Sequence, residues 1–324
     1  MSAPRFLLVR FSAIGDCVLA SWAATAIRHR YPEAFLCWAV QARCAPVIDR
    51  QVLTTRVWEM PRERWKRTRW SPKTWHEQVL SYSRLRRLKF DYGVDFQGHF
   101  KTALCLRLSG ASQRIASRAT DAVAAKMNPV FGSKPAGLHT VEWNHQVLGA
   151  FGDFELPERP IMPNREEAIA ALREVLPSSR PLATIMVGAG GPNKAYPARH
   201  WREVATELLV DGYQVAYLGG PGDPKIEQEG TTNLVGQMPL ANSIAAIQCS
   251  SLHLAGDTGS GHIAAAYGVP VVSIFGPTDP AVFRPYTDNG LVLQEGKDTA
   301  AVTPERVIRA ARELVRREDA ALSD

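Results

Sequence analysis

The sequence predicts an α/β fold of two domains, each built on a parallel sheet. Three observations carry that reading. Short apolar runs of strand length alternate with helix-like stretches along all 324 residues. A chain of that length suits two cores better than one. Several apolar runs end in small-residue turns that lead straight into a helix, which is where parallel α/β sheets bind ligands.

In order, Arg5 to Phe11 is a first strand, apolar enough for burial on both faces. The turn Ser12-Ala13-Ile14-Gly15-Asp16 follows, and then an amphipathic helix from Cys17 to Arg30, stopped at Tyr31-Pro32. Asp16 therefore stands at a helix N-terminus beside a glycine that lets a ligand approach; taken alone, such a residue is more often a cap than a base. Ala34 to Val40 and Thr55 to Pro61 read as strands with a helix after Arg43 between them. A basic aromatic segment, RERWKRTRWSPKTW, covers Arg62 to Trp75 and interleaves six cations with Trp65, Trp70 and Trp75. Arg forks suit carboxylates and phosphates, while Trp faces suit sugars, bases or a membrane interface. A helix from Trp75 to Phe90 leads to a strand, Tyr92 to Phe96, and the turn Gln97-Gly98-His99. Lys101 lies in the next helix's first turn, a poor place for a cation unless an anion is near. Gln113 to Arg118 is a strand and Thr140 to Phe151 a helix, and a Pro-rich linker ends the half.

The second half opens on strand Leu182 to Val187 and the loop Gly188 to Lys194, which is glycine-rich yet fits neither common phosphate-loop pattern. Helix Ala198 to Val210, strand Gln214 to Leu218, the turn Gly219 to Asp223, a short strand Asn233 to Gly236 and helix Leu240 to Ser250 follow. Then comes the stretch around which the chain is organised: strand LHLAG, Asp257, the turn Thr258 to Gly261, and an Ala-rich helix containing His262 and closed by Gly268. Such a helix start offers backbone N–H groups and a positive dipole end to a phosphate. The bland alternative is a structural turn capped by Asp257. Val269 to Phe275 is a further strand, and Pro304 to Glu318 an amphipathic helix able to cross back onto the first half.

Charge separates the halves. Residues 1–158 hold 23 Lys and Arg against 13 Asp and Glu, while residues 159–324 hold 15 against 19. A basic first half points to an anionic partner. The five cysteines are scattered with no CxxC, which argues against a zinc site or a disulfide framework. No run approaches the roughly 20 apolar residues of a membrane span, and the N-terminal apolar run is too short for a signal core, so the chain reads as cytoplasmic.

Four motifs in this order resemble glycosyltransferase family 9, the bacterial heptosyltransferases. They are Arg10-x-Ser12-x-x-Gly15-Asp16, Asp95-x-Gln97-Gly98-x-x-Lys101, Lys194-x-x-Pro197 with Trp201, and Asp257-Thr258-Gly259-x-x-His262 with Phe275-Gly276-Pro277-Thr278 beyond it. The basic Trp segment is most similar to that of the heptosyltransferase I group. The resemblance implies a GT-B fold, two Rossmann-like domains around a cleft: residues 1–158 for the acceptor, 159–324 for a nucleotide-sugar donor. It implies an inverting, metal-independent and cofactor-free transfer of heptose from ADP-heptose to the Kdo region of lipid A, in the inner core of lipopolysaccharide.

Matched position by position, Asp16 falls on the general base. Gly15, Lys194, Asp223, Met238, Asp257, Thr258, Gly259 and His262 fall on the donor site, and Arg64, Lys66, Arg67, Lys101 and Arg118 on basic positions facing the acidic acceptor. Two positions depart from the pattern: Gly188-Ala189-Gly190 stands where Thr residues are common, and Trp22 where many members have Pro. The lipid acceptor implies peripheral contact with the inner membrane. The alternatives are a family 9 transferase with another donor or acceptor, a GT-B sugar-nucleotide epimerase and, well behind, a nucleic-acid-binding module.

Overall fold

The computed structural model describes residues 3–323 apart from Ser178. The chain divides into two compact units, Met1–Pro163 and Asn164–Asp324.

The first unit runs β1 (Arg5–Val9), α1 (Ile14–Arg30), β2 (Phe35–Gln41), β3 (Arg56–Met60), α2 (Arg62–Arg67), α3 (Pro72–Arg84), β4 (Tyr92–Asp95), α4 (Phe100–Ser109), β5 (Gln113–Ala116), α5 (Ala122–Met127) and α6 (Thr140–Leu148). Its strands form one parallel sheet in the order β3-β2-β1-β4-β5. β1 is buried from Phe6 to Val9, as a doubly covered parallel strand must be. α1 is buried along most of its length because it also packs on α6, and its alanines allow the close approach.

The second unit runs α7 (Glu166–Val175), β6 (Leu182–Met186), α8 (Ala198–Val210), β7 (Gln214–Leu218), β8 (Thr231–Asn233), α9 (Leu240–Gln248), β9 (Leu252–Gly256), α10 (Gly259–Tyr267), β10 (Val271–Phe275), α11 (Pro280–Phe283), β11 (Gly290–Gln294) and α12 (Pro304–Ser323). Its parallel sheet has the order β11-β10-β9-β6-β7-β8. Val307, Ile308, Ala311 and Leu314 of α12 join the second unit's core with Trp201, Val204 and Leu208 of α8.

In both sheets the first strand lies beside the fourth. The order reverses between β1 and β4 in one unit and between β6 and β9 in the other. Chains leaving such neighbours turn to opposite sides and open a crevice at their carboxyl ends.

Several elements differ from the sequence reading. The helix expected after Arg43 is a short 3-10 turn, Ala42–Val47, interrupted by Pro46. The basic segment folds into α2 and the start of α3, with Pro72 at the first position of α3 where its missing N–H costs nothing. α5, α7, α11 and β11 are additional. β8 pairs two residues earlier than expected, because Leu234 and Val235 turn inward to be buried after the strand ends.

Candidate active site

In the first unit the crevice is floored by β1 and β4. Asp16 occupies the third position of α1, inside the helix rather than before it, and its carboxylate accepts the backbone N–H of Ala13 at 3.0 Å. A negative group in a first turn complements the helix dipole. Arg10, buried at the end of β1, places Nη2 2.5 Å from Asp16 Oδ2 and donates Nη1 to the Phe96 carbonyl at 2.5 Å. The guanidinium thus orients the carboxylate and ties it to the end of β4.

The loop carrying Asp16 is stapled by a second device. Gln97 Oε1 accepts the N–H groups of Phe11 at 2.9 Å and Ser12 at 3.4 Å. Gln97 is in turn set by Asp95, whose Oδ1 accepts the N–H groups of Gln97 at 2.8 Å and Gly98 at 3.0 Å. Asp95 is fully buried, and burial pushes its carboxyl up to about 6 against the opposing pull of those two amides. Gly98 has φ +71°, and a Cβ there would lie 2.1 Å from the Arg118 carbonyl oxygen, so only glycine fits. Asp95 and Gln97 stand in one of the four motifs, but in sequence their only signal is a turn after an apolar strand, which does not reveal this supporting role.

The basic positions divide. Arg118 Nε donates to the Gln97 carbonyl at 3.1 Å, and burial followed by the neighbouring Arg10 charge makes its guanidinium easier to deprotonate. Lys101 is shifted down by burial and then by Arg62, Lys66 and Arg69. These like charges repel one another, and an anion placed among them would relieve the repulsion. Arg64 is paired with Glu77 at 2.7 Å and Lys66 with Glu63 at 3.3 Å, so both are partly neutralised within the unit; Arg67 ends α2. Of the three Trp, Trp65 is a core residue, edge-on to Tyr82, and is not available to a ligand. Trp70 is 84% exposed and Trp75 partly so.

In the second unit the crevice lies at the ends of β6 and β9. Lys194 Nζ sits 2.5 Å from Asp257 Oδ2, and Asp257 itself is nearly covered. Asp257 is therefore the partner of a cation rather than the cap of α10. Thr258 is the N-cap of α10, yet among the described residues no side chain caps that helix. The Thr258 hydroxyl turns instead to Ser260 Oγ at 2.8 Å. A helix start with no capping side chain leaves first-turn N–H groups and a positive dipole end able to receive an anion. Gly259 opens the helix, and His262 is buried in its first turns.

Asp223, after β7, accepts the Gly220 N–H at 2.6 Å, and a Cβ on Gly188 would lie 2.1 Å from its Oδ2. That contact explains the departure at Gly188: the Asp223 carboxylate fills the space where another side chain would stand. Met238 is partly buried in the turn between β8 and α9, and Gly15 is buried beside Asp16.

The model of glycosyltransferase family 9 (heptosyltransferase) matches residues 81–307. Among curated proteins, the chain is similar to lipopolysaccharide heptosyltransferase 1 of Pseudomonas aeruginosa, at 27% identity over 87% of this chain and 81% of that protein. It is also similar to lipopolysaccharide heptosyltransferase 2 of Escherichia coli K12, at 23% identity over 98% and 100%. Among solved structures it matches E. coli ADP-heptose lps heptosyltransferase II with a TM-score of 0.81 at 22% identity, covering 97% and 99% of the two chains. It matches E. coli heptosyltransferase WaaC with ADP with a TM-score of 0.78 at 21% identity, covering 96% and 99%. The two-sheet architecture is therefore the GT-B fold of those enzymes. With that match spanning most of the chain, the protein belongs to glycosyltransferase family 9 and is a glycosyltransferase.

Proposed function

We propose that this enzyme moves L-glycero-D-manno-heptose from ADP-heptose to the Kdo region of lipid A. The observation that carries the donor half is the α10 start, left without a capping side chain and set beside Lys194. A diphosphate suits it, since backbone N–H groups and the helix dipole supply positive charge, and the diphosphate would compete with Asp257 for the Lys194 ammonium. The related E. coli heptosyltransferase WaaC has been solved with ADP and with ADP-2-deoxy-2-fluoro heptose, which supports a nucleotide-sugar donor here.

In this reading the acceptor hydroxyl oxygen forms the new bond to the anomeric carbon as the bond to the donor phosphate oxygen breaks on the opposite face. The electron pair leaves with ADP, and the hydroxyl proton passes to Asp16. A carboxylate is far less basic than an alkoxide, so it is effective only as the oxygen loses its proton in an oxocarbenium-like transition state. Lys194 and the turn from 257 to 262 stabilise charge on the departing diphosphate without a metal ion. Asp223 and Met238 complete the donor pocket. Lys101, Arg118 and the basic face of α2 receive the acidic sugar. Exposed Trp70 and Trp75 among those cations suit contact with an anionic lipid surface. Among the described residues, no helix is long and apolar enough to cross a membrane.

A second reading, transfer to an acceptor that already carries one heptose, is favoured by the full-length similarity to heptosyltransferase 2. Mass spectrometry of products made from ADP-heptose with Kdo-lipid A, and separately with heptosyl-Kdo-lipid A, decides between them. A single heptose added to the first acceptor supports the proposal; addition to the second alone transfers the enzyme to the later step. Turnover of ADP-heptose with no acceptor present would favour an epimerase.

A further inference from the structure

His253 is the second residue of β9, wholly buried, where an apolar residue would be the ordinary choice for a central parallel strand. Both ring nitrogens are engaged. Nδ1 is 2.8 Å from Thr184 Oγ1 and Nε2 is 3.0 Å from Ser260 Oγ. Thr184 continues to Ser250 Oγ at 3.2 Å, and Ser250 to the Ile247 carbonyl at 2.7 Å. At the other end Ser260 meets the Thr258 hydroxyl at 2.8 Å. A chain of hydrogen bonds thus runs from the last turn of α9, through the sheet, to the first turn of α10.

Its direction can be worked out from the anchored end. A carbonyl only accepts, so the Ser250 hydroxyl donates to Ile247 and its oxygen accepts from Thr184. Thr184 has then used its proton, and its oxygen accepts from Nδ1–H of His253. Burial pushes the imidazole down to about 3, so the ring is neutral and Nε2 is an acceptor. Ser260 must donate to it, which leaves the Ser260 oxygen to accept the Thr258 proton. Every proton in the chain therefore points one way, from Thr258 through Ser260, His253, Thr184 and Ser250 to the Ile247 carbonyl. Thr258, a residue type well suited to capping its own helix, is held off that task.

We infer that His253 is a positioning residue for the donor: acting through Ser260, it draws Thr258 away from α10 and keeps the first-turn amides open to the diphosphate. This rests on the reading of that turn as the diphosphate site. The role is separable from mere core polarity, because the two nitrogens do different work. Gln at 253 carries a carbonyl oxygen near the Nε2 position and can still accept from Ser260. Asn carries an N–H near the Nδ1 position, can still donate to Thr184, and leaves Ser260 without its acceptor.

The test is ADP binding to the full chain by titration calorimetry, with donor kinetics and thermal melts, for wild type, His253→Gln, His253→Asn and Ser260→Ala. Expected is an ADP Kd within about twofold of wild type for His253→Gln. For His253→Asn and Ser260→Ala it should rise about fivefold, the worth of one net hydrogen bond, with the donor KM rising more than kcat falls. Ser260→Ala keeps the ring and gives a reading even if a ring replacement folds poorly. Equal weakening by Gln and Asn in proportion to lost thermal stability, or Asn binding like wild type, overturns the role of His253 alone. A wild-type chain that fails to bind ADP overturns the diphosphate reading beneath it.

Discussion

The two units present the same local motif, a buried strand, a short turn and a helix, and treat the helix start in opposite ways. At α1 the protein supplies its own anion: Asp16 sits in the first turn, accepts the Ala13 amide and is fixed by Arg10. At α10 the nearest carboxylate, Asp257, is turned to Lys194, and the capping hydroxyl of Thr258 is drawn to Ser260. One helix start carries its own positioned carboxylate; the other has no capping side chain. In the proposed reading this difference puts the base in the first unit and the leaving group in the second, although strand-turn-helix geometry alone is identical in both.

The largest expected effect breaks the first side of that comparison. Asp16→Ala should lower turnover by at least ~100-fold, the usual cost of losing a general base, while the ADP Kd measured by calorimetry stays within about twofold. Normal turnover in this variant would remove Asp16 from the chemistry. On the second side, Lys194→Met should raise the ADP Kd by about 10- to 30-fold, as for a lost hydrogen bond to a charged group. It should also lower kcat, since the ammonium also stabilises the leaving diphosphate. Unchanged ADP affinity would show that the cation serves Asp257 and not a ligand.

A third variant makes the two helix starts alike. Thr258→Asp should give α10 a capping carboxylate and raise stability by about 0.5–1 kcal/mol, read as the urea midpoint. The same carboxylate would occupy the amides and repel a diphosphate, so ADP binding should weaken by about tenfold or more. A more stable variant that binds ADP as well as wild type would mean the amides of α10 are not where the phosphates go.

How much of this was legible in the sequence follows from where each signal is stored. The parallel sheets were legible because β1, β6, β9 and β10 are continuous apolar runs and the chain between them has helical composition. The edge strand β11 and helices α5 and α7 were not, because half-buried edge elements carry mixed composition that resembles loop. Asp16, Lys194 and Asp257 were legible as polar groups after strands or in the loops beyond them. The supporting roles of Arg10, Gln97 and His253 were not, since they act through contacts that sequence spacing does not encode. The Trp count misled in part: Trp65 looks like its neighbours in sequence, but helical spacing turns it into the core beside Tyr82.

The smallest effect on turnover belongs to Asp95, and its signature is in stability. Its folded-state value of about 6 stands above the ordinary 3.8 because burial disfavours the charge. The folded state therefore holds the proton more tightly than the unfolded state between those values. Stability from this group is fully present below about pH 4 and is lost as pH rises through 6. Asp95→Asn keeps a carbonyl oxygen for the Gln97 and Gly98 amides but cannot ionise. Between pH 4 and pH 7 the stability gap should therefore shift in favour of the variant, by at most about 3 kcal/mol, in paired urea titrations. Turnover at pH 7 should change by no more than about threefold, because the staple on the Asp16 loop survives and one hydrogen bond is worth little beyond that. A gap that stays constant with pH would place the titrating group elsewhere. A gap constant with pH but a large loss of turnover would instead make Asp95 part of the acceptor site rather than the support beneath it.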